Sequence, residues 1–592
     1  MNYKKYIKNY YFKFSGLLIL GVLADIIVDI TQLYIPEFLS SIVEIVSSNN
    51  NVVYADIKDI VVKVIVVAFI LFVGRILFRV AIMPASQKIE AGIRHDMFTK
   101  AERLSQRYYH ENKVGTIMSW FSSDLEAVEE FTGWGTIMMV DAIFLSSLAI
   151  YKMCSLDYTL SVIAIIPMLA LIVWGNKVEK TMSDKWEEKQ RYYDKLYDFT
   201  QENFTGIRVI KAFVKEKQEQ KAFKRIAQEN SDKNLEFANL SISFDVCIEL
   251  IIGIAMSMVL GFGSYFVYRN SINNPVFFLG RQVSLTISQL IAFIGYVDIL
   301  IWPMIAMGQI LQMHSRFKAS LIRIVHFLNE EEEIASSSNA TRLIDCKGKI
   351  TFNNFSFVYP KKDKIILDKI SFEILPGEMV GIVGKIGSGK TTLVNSLLHL
   401  YNIDKECIYI DDIDLMDIDI NSLRENIAYV PQDNFLFSDD IKNNIIFSNE
   451  KVEVNKVKEA AIFAAVDDNI KEFPEGYYTM TGERGVALSG GQKQRISIAR
   501  AYIKDSPIMI LDDSVSAVDV KTEETILNNI KEKRKGKTTI IIASRVSTVS
   551  SLDKILVLNA GKVEAFGKPD DLLKTSPTYK KMVYLQKLEN EL

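Results

Sequence analysis

The run Gly384-Lys385-Ile386-Gly387-Ser388-Gly389-Lys390-Thr391-Thr392 has the spacing GxxxxGK followed by Thr. Glycines let successive backbone N–H groups turn toward a phosphate, and a helix starting there adds the positive end of its dipole. Lys390 would reach the β- and γ-phosphates of a nucleotide, and Thr391 would ligate Mg2+. A carboxylate stands downstream to complete that chemistry. Asp512 ends the apolar run Ile508-Met509-Ile510-Leu511, where it can hold Mg2+ directly or through water. The implied ligands are a nucleotide's phosphates and Mg2+.

Both motifs need a strand to present them. MVGIV runs straight into the glycine loop, and from residue 347 onward short β-rich segments alternate with helical stretches. That alternation predicts a mostly parallel sheet with crossover helices, an α/β P-loop domain over 347–592. Ahead of it, the acidic run Glu330–Glu333 and the small polar residues that follow read as a solvated linker, 329–346.

The first 328 residues are of another kind. Apolar windows fall at 14–38, 64–80, 133–151, 158–174, 244–267 and 287–313. Several approach the roughly 20 residues needed to cross about 30 Å of hydrocarbon. A membrane domain of six helices is expected over 1–328. Lys4, Lys5, Lys8 and Lys13, with no acid among them, should hold the N-terminus inside, leaving the α/β domain cytoplasmic. The connections 81–132 and 175–243 are long, charged and helical in pattern, as levers or docking arms would be. Charged residues inside the windows are Asp25 and Asp29, Arg75 and Arg79, Asp141, Asp245 with Glu249, and Asp298. They must face the bundle interior or a wet cavity. Two readings stand: an acidic pathway for cationic solutes, or Asp–Arg pairs that hold helices together.

Composition excludes other classes. With 69 Lys+Arg against 72 Asp+Glu there is no field for nucleic acid. Four isolated cysteines, Cys154, Cys247, Cys346 and Cys407, make neither a disulfide framework nor a zinc site.

Upstream of Asp512 stands Leu488-Ser489-Gly490-Gly491-Gln492. With a P-loop ahead of it, this LSGGQ resembles the signature of ATP-binding cassette (ABC) transporters, and the whole chain resembles an ABC exporter half-transporter. The resemblance implies further roles. Tyr359 would stack on adenine, Gln432 would be the glutamine that senses Mg2+, and 482–485 would be a loop touching the intracellular arms. Residues 514–519, ending at Asp519, would cross to the opposite subunit. The stretches 114–131 and 202–213 are similar to the coupling arms of exporters. In this family two ATP molecules are sandwiched between two such domains, so one domain per chain implies a dimer.

Two positions depart from the family pattern. The Glu that polarises the attacking water is replaced by Asp513, one methylene shorter, about 1.5 Å. The switch histidine is replaced by Ser544, and the last histidine of the chain is His399. Ser cannot carry a positive charge. The resemblance therefore implies the degenerate-site subunit of a heterodimer, exporting drugs or other amphiphiles across a bacterial plasma membrane. Asp513, Ser544 and Gln432 would form a slow catalytic set, with Thr391, Gln432 and Asp512 at the metal. A homodimeric exporter, a lipid flippase and an exporter-fold importer of metal chelates are the alternatives.

Overall fold

The computed structural model describes residues 2–47, 54–272, 276–278, 281–283, 285–337, 339–449, 452–482, 485, 488–515 and 518–591. The chain forms two compact units, Met1–Ala101 with Val114–Glu330, and Glu102–Lys113 with Glu331–Leu592.

In the first unit, five helical stretches among the described residues are long and apolar enough to cross a membrane: Ser15–Ser47, Ile57–Arg103, Val114–Leu156, Glu216–Ser271 and Ile287–Leu328. The remaining window, 158–174, opens the helix Tyr158–Thr205, apolar over Tyr158–Pro167. The first window is broken at Leu33, between helices Ser15–Gln32 and Tyr34–Ser47. The helical stretch Val114–Leu156 carries three five-residue π-helical turns, Trp120–Asp124, Phe131–Gly135 and Asp141–Leu145. Such turns widen a helix locally and re-aim its side chains. Between the last two spans, strands β1 (Val276–Phe278) and β2 (Arg281–Val283) pair antiparallel.

The arms are extensions of the membrane helices. Tyr158–Thr205 and Glu216–Ser271 are joined through the short helix Ile207–Ala212. Phe204, Val209, Phe213 and Val214 all stand exposed around that turn. Tyr6 and Tyr10, on the helix Tyr3–Lys13, both donate to Asp96 Oδ2, at 2.8 and 2.7 Å. Asp124 is buried and accepts from Arg323 Nε at 2.8 Å and Ser320 Oγ at 2.9 Å. A buried carboxylate needs such donors to remain in place.

The second unit holds two sheets. One is antiparallel, in the order β4 (Ile365–Ile374), β3 (Ile350–Val358), β6 (Ile408–Ile410), β7 (Ile413–Asp414). The other runs β12 (Lys562–Gly567), β11 (Lys554–Asn559), β5 (Met379–Gly384), β10 (Thr538–Ile542), β9 (Ile508–Asp512), β8 (Ile427–Val430). It is parallel except at β12. Every residue of β9 and β10 is buried, which is why both read as unbroken apolar or β-branched runs.

Two segments lie with the second unit. Residues 102–113, expected in the membrane domain, belong to the second unit. There Arg107 Nη1 meets Glu333 Oε1 at 2.6 Å, Ser105 Oγ donates to Glu333 Oε2 at 2.9 Å, and Lys361 Nζ meets Glu111 Oε2 at 2.8 Å. The stretch read as a solvated linker is docked on the same unit. Thr341 bridges to Ile418, Leu343 is buried, and Leu343 N donates to Ser422 Oγ at 2.9 Å. Polar residues that look free in sequence have found partners here. Replacing Ser422 with Ala would strand the Leu343 N–H, at a cost of about 1–3 kcal/mol. A lower melting temperature and faster proteolysis within 331–343 are expected; unchanged protection would show that this contact does not hold the segment.

Candidate nucleotide site

The register of the parallel sheet builds the site. β10 lies between β5 and β9, with Ile542 opposite both Ile382 and Asp512. The carboxyl ends of three strands therefore share one edge, where ligands of open α/β sheets bind. The glycine loop leaves β5 at that edge, Asp512 and Asp513 leave β9, and Ser544 follows β10.

The loop permits no side chain at its critical glycines. A Cβ on Gly384 would lie 2.2 Å from Leu558 O, and Gly389 holds a left-handed φ of +98°. Lys385, Ile386 and Gly387 are exposed, and Thr391 also faces outward, while Ser388 and Thr392 are buried. Lys390 begins the helix Lys390–Leu397 and folds back, donating to Gly384 O at 2.9 Å and Lys385 O at 3.3 Å. Burial holds its ammonium below the usual lysine range, against the opposing pull of Asp513 and Asp512.

Ser388 Oγ and Asp512 Oδ2 are buried here without a hydrogen-bond partner. Burial raises the Asp512 carboxyl above the aspartate range, and Asp513 beside it adds to that, while the Thr391 hydroxyl and the Lys390 charge oppose it. Orphaned polar atoms beneath an exposed glycine loop, with a lysine alongside, fit a metal-bound phosphate chain.

Asp513 has a left-handed φ of +47°, which a short polar side chain tolerates. Its N–H donates to Ile542 O at 3.0 Å, and Gln494 Nε2 donates to its carbonyl at 3.1 Å. Ser544 Oγ lies 3.3 Å from Asp513 Oδ1, so the two departures from the family pattern touch each other.

The other expected residues are spread around this edge. Tyr359 bonds Thr392 Oγ1 through its hydroxyl at 2.9 Å and packs edge-on to Tyr401, centroids 5.3 Å apart. Gln432 is exposed in the loop after β8. Leu488 is buried, and Ser489 caps the helix Gly490–Ile503 in a reciprocal box with Gln492, leaving Gly490 and Gly491 in the first turn. Asp519 caps Val520–Lys533 by accepting from Thr522 N at 3.0 Å. Glu483, Arg484, Ser516 and Ala517, in two of the expected loops, lie outside the described residues. Sequence reasoning missed Tyr429, whose hydroxyl faces Asp512, and Gln494, which holds the Asp513 backbone. A hydroxyl-bearing aromatic within the otherwise aliphatic β8 and a polar residue on the buried face of a helix were the available signals.

Residues 18–304 match the ABC transporter transmembrane region, and residues 367–516 match the ABC transporter family's ATP-binding part. Among relatives, the Bacillus subtilis "Probable multidrug resistance ABC transporter ATP-binding/permease protein YheI" is 35% identical over 490 residues, 82% of this chain and 81% of that one. The Escherichia coli "Multidrug resistance-like ATP-binding protein MdlA" is 31% identical over 583 residues, 98% of this chain and 96% of that one. A bacterial Atm1-family ABC exporter solved with ATP bound shares the fold, with a TM-score of 0.81 at 24% identity, covering 97% of this chain and 99% of that one. An ATPase domain that uses ATP and Mg2+ thus accompanies a multi-span membrane region, and the bacterial relatives fit a plasma-membrane location. The chain belongs to the ABC transporter family, as an exporter-type half-transporter whose ATPase is coupled to transport.

Proposed function

We propose that this chain is the degenerate-site subunit of a heterodimeric exporter of drugs or other amphiphiles. Residues 384–392 hold the phosphates of one ATP, with Thr391, Gln432 and Asp512 around its Mg2+ and Tyr359 beside its adenine. Leu488–Gln492 and Asp519 face the ATP carried by the partner. When bound, Mg2+ offsets the phosphate charge; the chain's own part is to orient the γ-phosphate and the attacking water.

The observation that carries this reading is the Ser544–Asp513 contact at 3.3 Å. A base that must polarise water is here tied to a neutral hydroxyl, and its carboxylate is set back by one methylene. A displacement near 1 Å costs about 10²-fold in a positioned reaction. The names of the relatives, which speak of multidrug resistance, support the class of cargo. The exposed apolar turn at Phe204–Val214 supports an arm that docks on another surface. ATP-driven closure of two ATPase domains would draw such arms together and open the bundle outward, and hydrolysis at the partner's site would reset it.

The ATPase rate of the purified chain, alone and with its partner half-transporter, tests the assignment. Near-silence alone, activity on co-purification, and a rise of about 10²-fold on introducing Asp513→Glu with Ser544→His are expected. Robust hydrolysis by the unaltered chain alone would overturn it and favour a homodimer. For the metal role, Asp512→Asn should bind ATP in EDTA as the unaltered chain does and gain nothing from added Mg2+. An equal Mg2+ gain in both proteins would remove Asp512 from the metal.

A further inference from the structure

The membrane unit contains a second site, formed by carboxylates alone. Asp25 and Asp29 stand one turn apart on the helix Ser15–Gln32, and Asp141 opens the π-helical turn Asp141–Leu145. Carboxylate oxygens of the three lie within 4.8 Å of one another. Asp25 and Asp29 are each only 2% exposed, and no donor meets Oδ2 of either. Asp141 Oδ2 accepts from the indole Nε1 of Trp302 at 2.8 Å. Unpaired buried carboxylates in a membrane unit are costly enough to demand a counter-charge.

The arginines do not supply it. Among the described residues neither Arg75 nor Arg79 forms an ion pair within 4.0 Å, and both are exposed, lining a cavity of about 460 Å³ with Ala68, Leu71, Phe72 and Ile76. Arg75 influences Asp141 only through space. The pairing expected from sequence is therefore not made. The three acids are nearly closed to solvent, which suits a small ion better than a bulky organic cation. The apolar cavity of about 800 Å³ along Leu250–Tyr265 includes none of the three acids.

We infer that Asp25, Asp29 and Asp141 bind a bare, hard divalent cation of the size of Ca2+. Oxygen is the ligand such ions prefer. At a bond length of about 2.3–2.6 Å, two ligands of one Ca2+ stand at most about 4.6–5.2 Å apart, and the three oxygens fall within that reach. Mg2+ gives up its waters reluctantly and usually keeps several of them, which suits a site walled by buried carboxylates less well. Charge argues for a divalent ion too. Three carboxylates with Arg75 at longer range leave two negative charges uncompensated. The site ties the first membrane helix to the third, and through Trp302 to the last, so the ion would cross-link three helices of the bundle.

The test is equilibrium binding of radioactive Ca2+ to the full chain in nanodiscs of zwitterionic lipid, without nucleotide. Terbium(III) luminescence excited through tryptophan provides a second readout. Saturable binding of one Ca2+ per chain is expected, weakened at least ten-fold in Asp29→Asn and Asp141→Asn proteins that still bind ATP. Trp302→Phe should retain Ca2+ while losing most of the sensitised terbium emission, and it guards against carboxylate variants that fail to fold. Absence of saturable Ca2+ binding, or binding that Asp29→Asn and Asp141→Asn leave within two-fold, would overturn the site. Neither result bears on the ATPase assignment, which uses other residues in the other unit.

Discussion

The ATPase unit depends on one pairing register. Ile542 faces Ile382 on one side and Asp512 on the other, which fixes where three neighbouring strands stop. In a sheet, a slip of one residue sends every side chain to the opposite face. A slip of β9 would bury Asp513 and turn Asp512 away from the phosphate loop. Every residue of β9 and β10 is buried, so a slip would carry Asp513 into a dry interior that offers it no water, and that cost favours the observed alignment. The chemistry at the edge is thus held by residues with no chemistry of their own.

This arrangement accounts for which parts of the site could be read from the sequence. The phosphate loop was legible because its function is local: nine consecutive residues carry the turn, the charge and the helix start. Asp512 was legible because a carboxylate closing an apolar strand loses solvation there and must be offset by a cation. The contact between Ser544 and Asp513 was not, since 31 residues and a crossover helix separate them and only strand pairing closes the distance. The docked segment 331–346 was illegible for a different reason. Glu333, Ser336 and Thr341 have the composition of a free linker, and composition does not distinguish a hydrogen bond to water from one to Asp419 or Arg107. The apolar windows marked the membrane half, five of them in helical stretches long and apolar enough to cross among the described residues, yet the break at Leu33 and the strands β1 and β2 left no periodic trace.

The same contrast holds among the intramembrane charges. Asp25 and Asp29, four residues apart, announce a shared helix face; their convergence with Asp141 is set by the packing of two helices and by a π-helical turn. That the acids gather while Arg75 and Arg79 face elsewhere is a fact of three dimensions. Glu249 and Asp298, read from the same windows, are exposed, and the side chain of Asp245 lies outside the described residues. One set of charges in sequence thus separates into at least two environments.

The capped start of the helix Gly490–Ile503 carries a consequence for anion recognition. Ser489 Oγ accepts from Gln492 N at 3.3 Å, and Gln492 Oε1 accepts from Ser489 N at 2.9 Å. The helix start has already satisfied, from within, two donors that a phosphate would seek. An anion docking there must exchange partners with a side chain of the same turn, so the number of hydrogen bonds scarcely changes. What remains to favour the exchange is charge: the positive end of the helix prefers a full negative ion to a neutral hydroxyl and amide. Such a contact is selective for highly charged ligands, indifferent to neutral ones, and weakens as salt screens it.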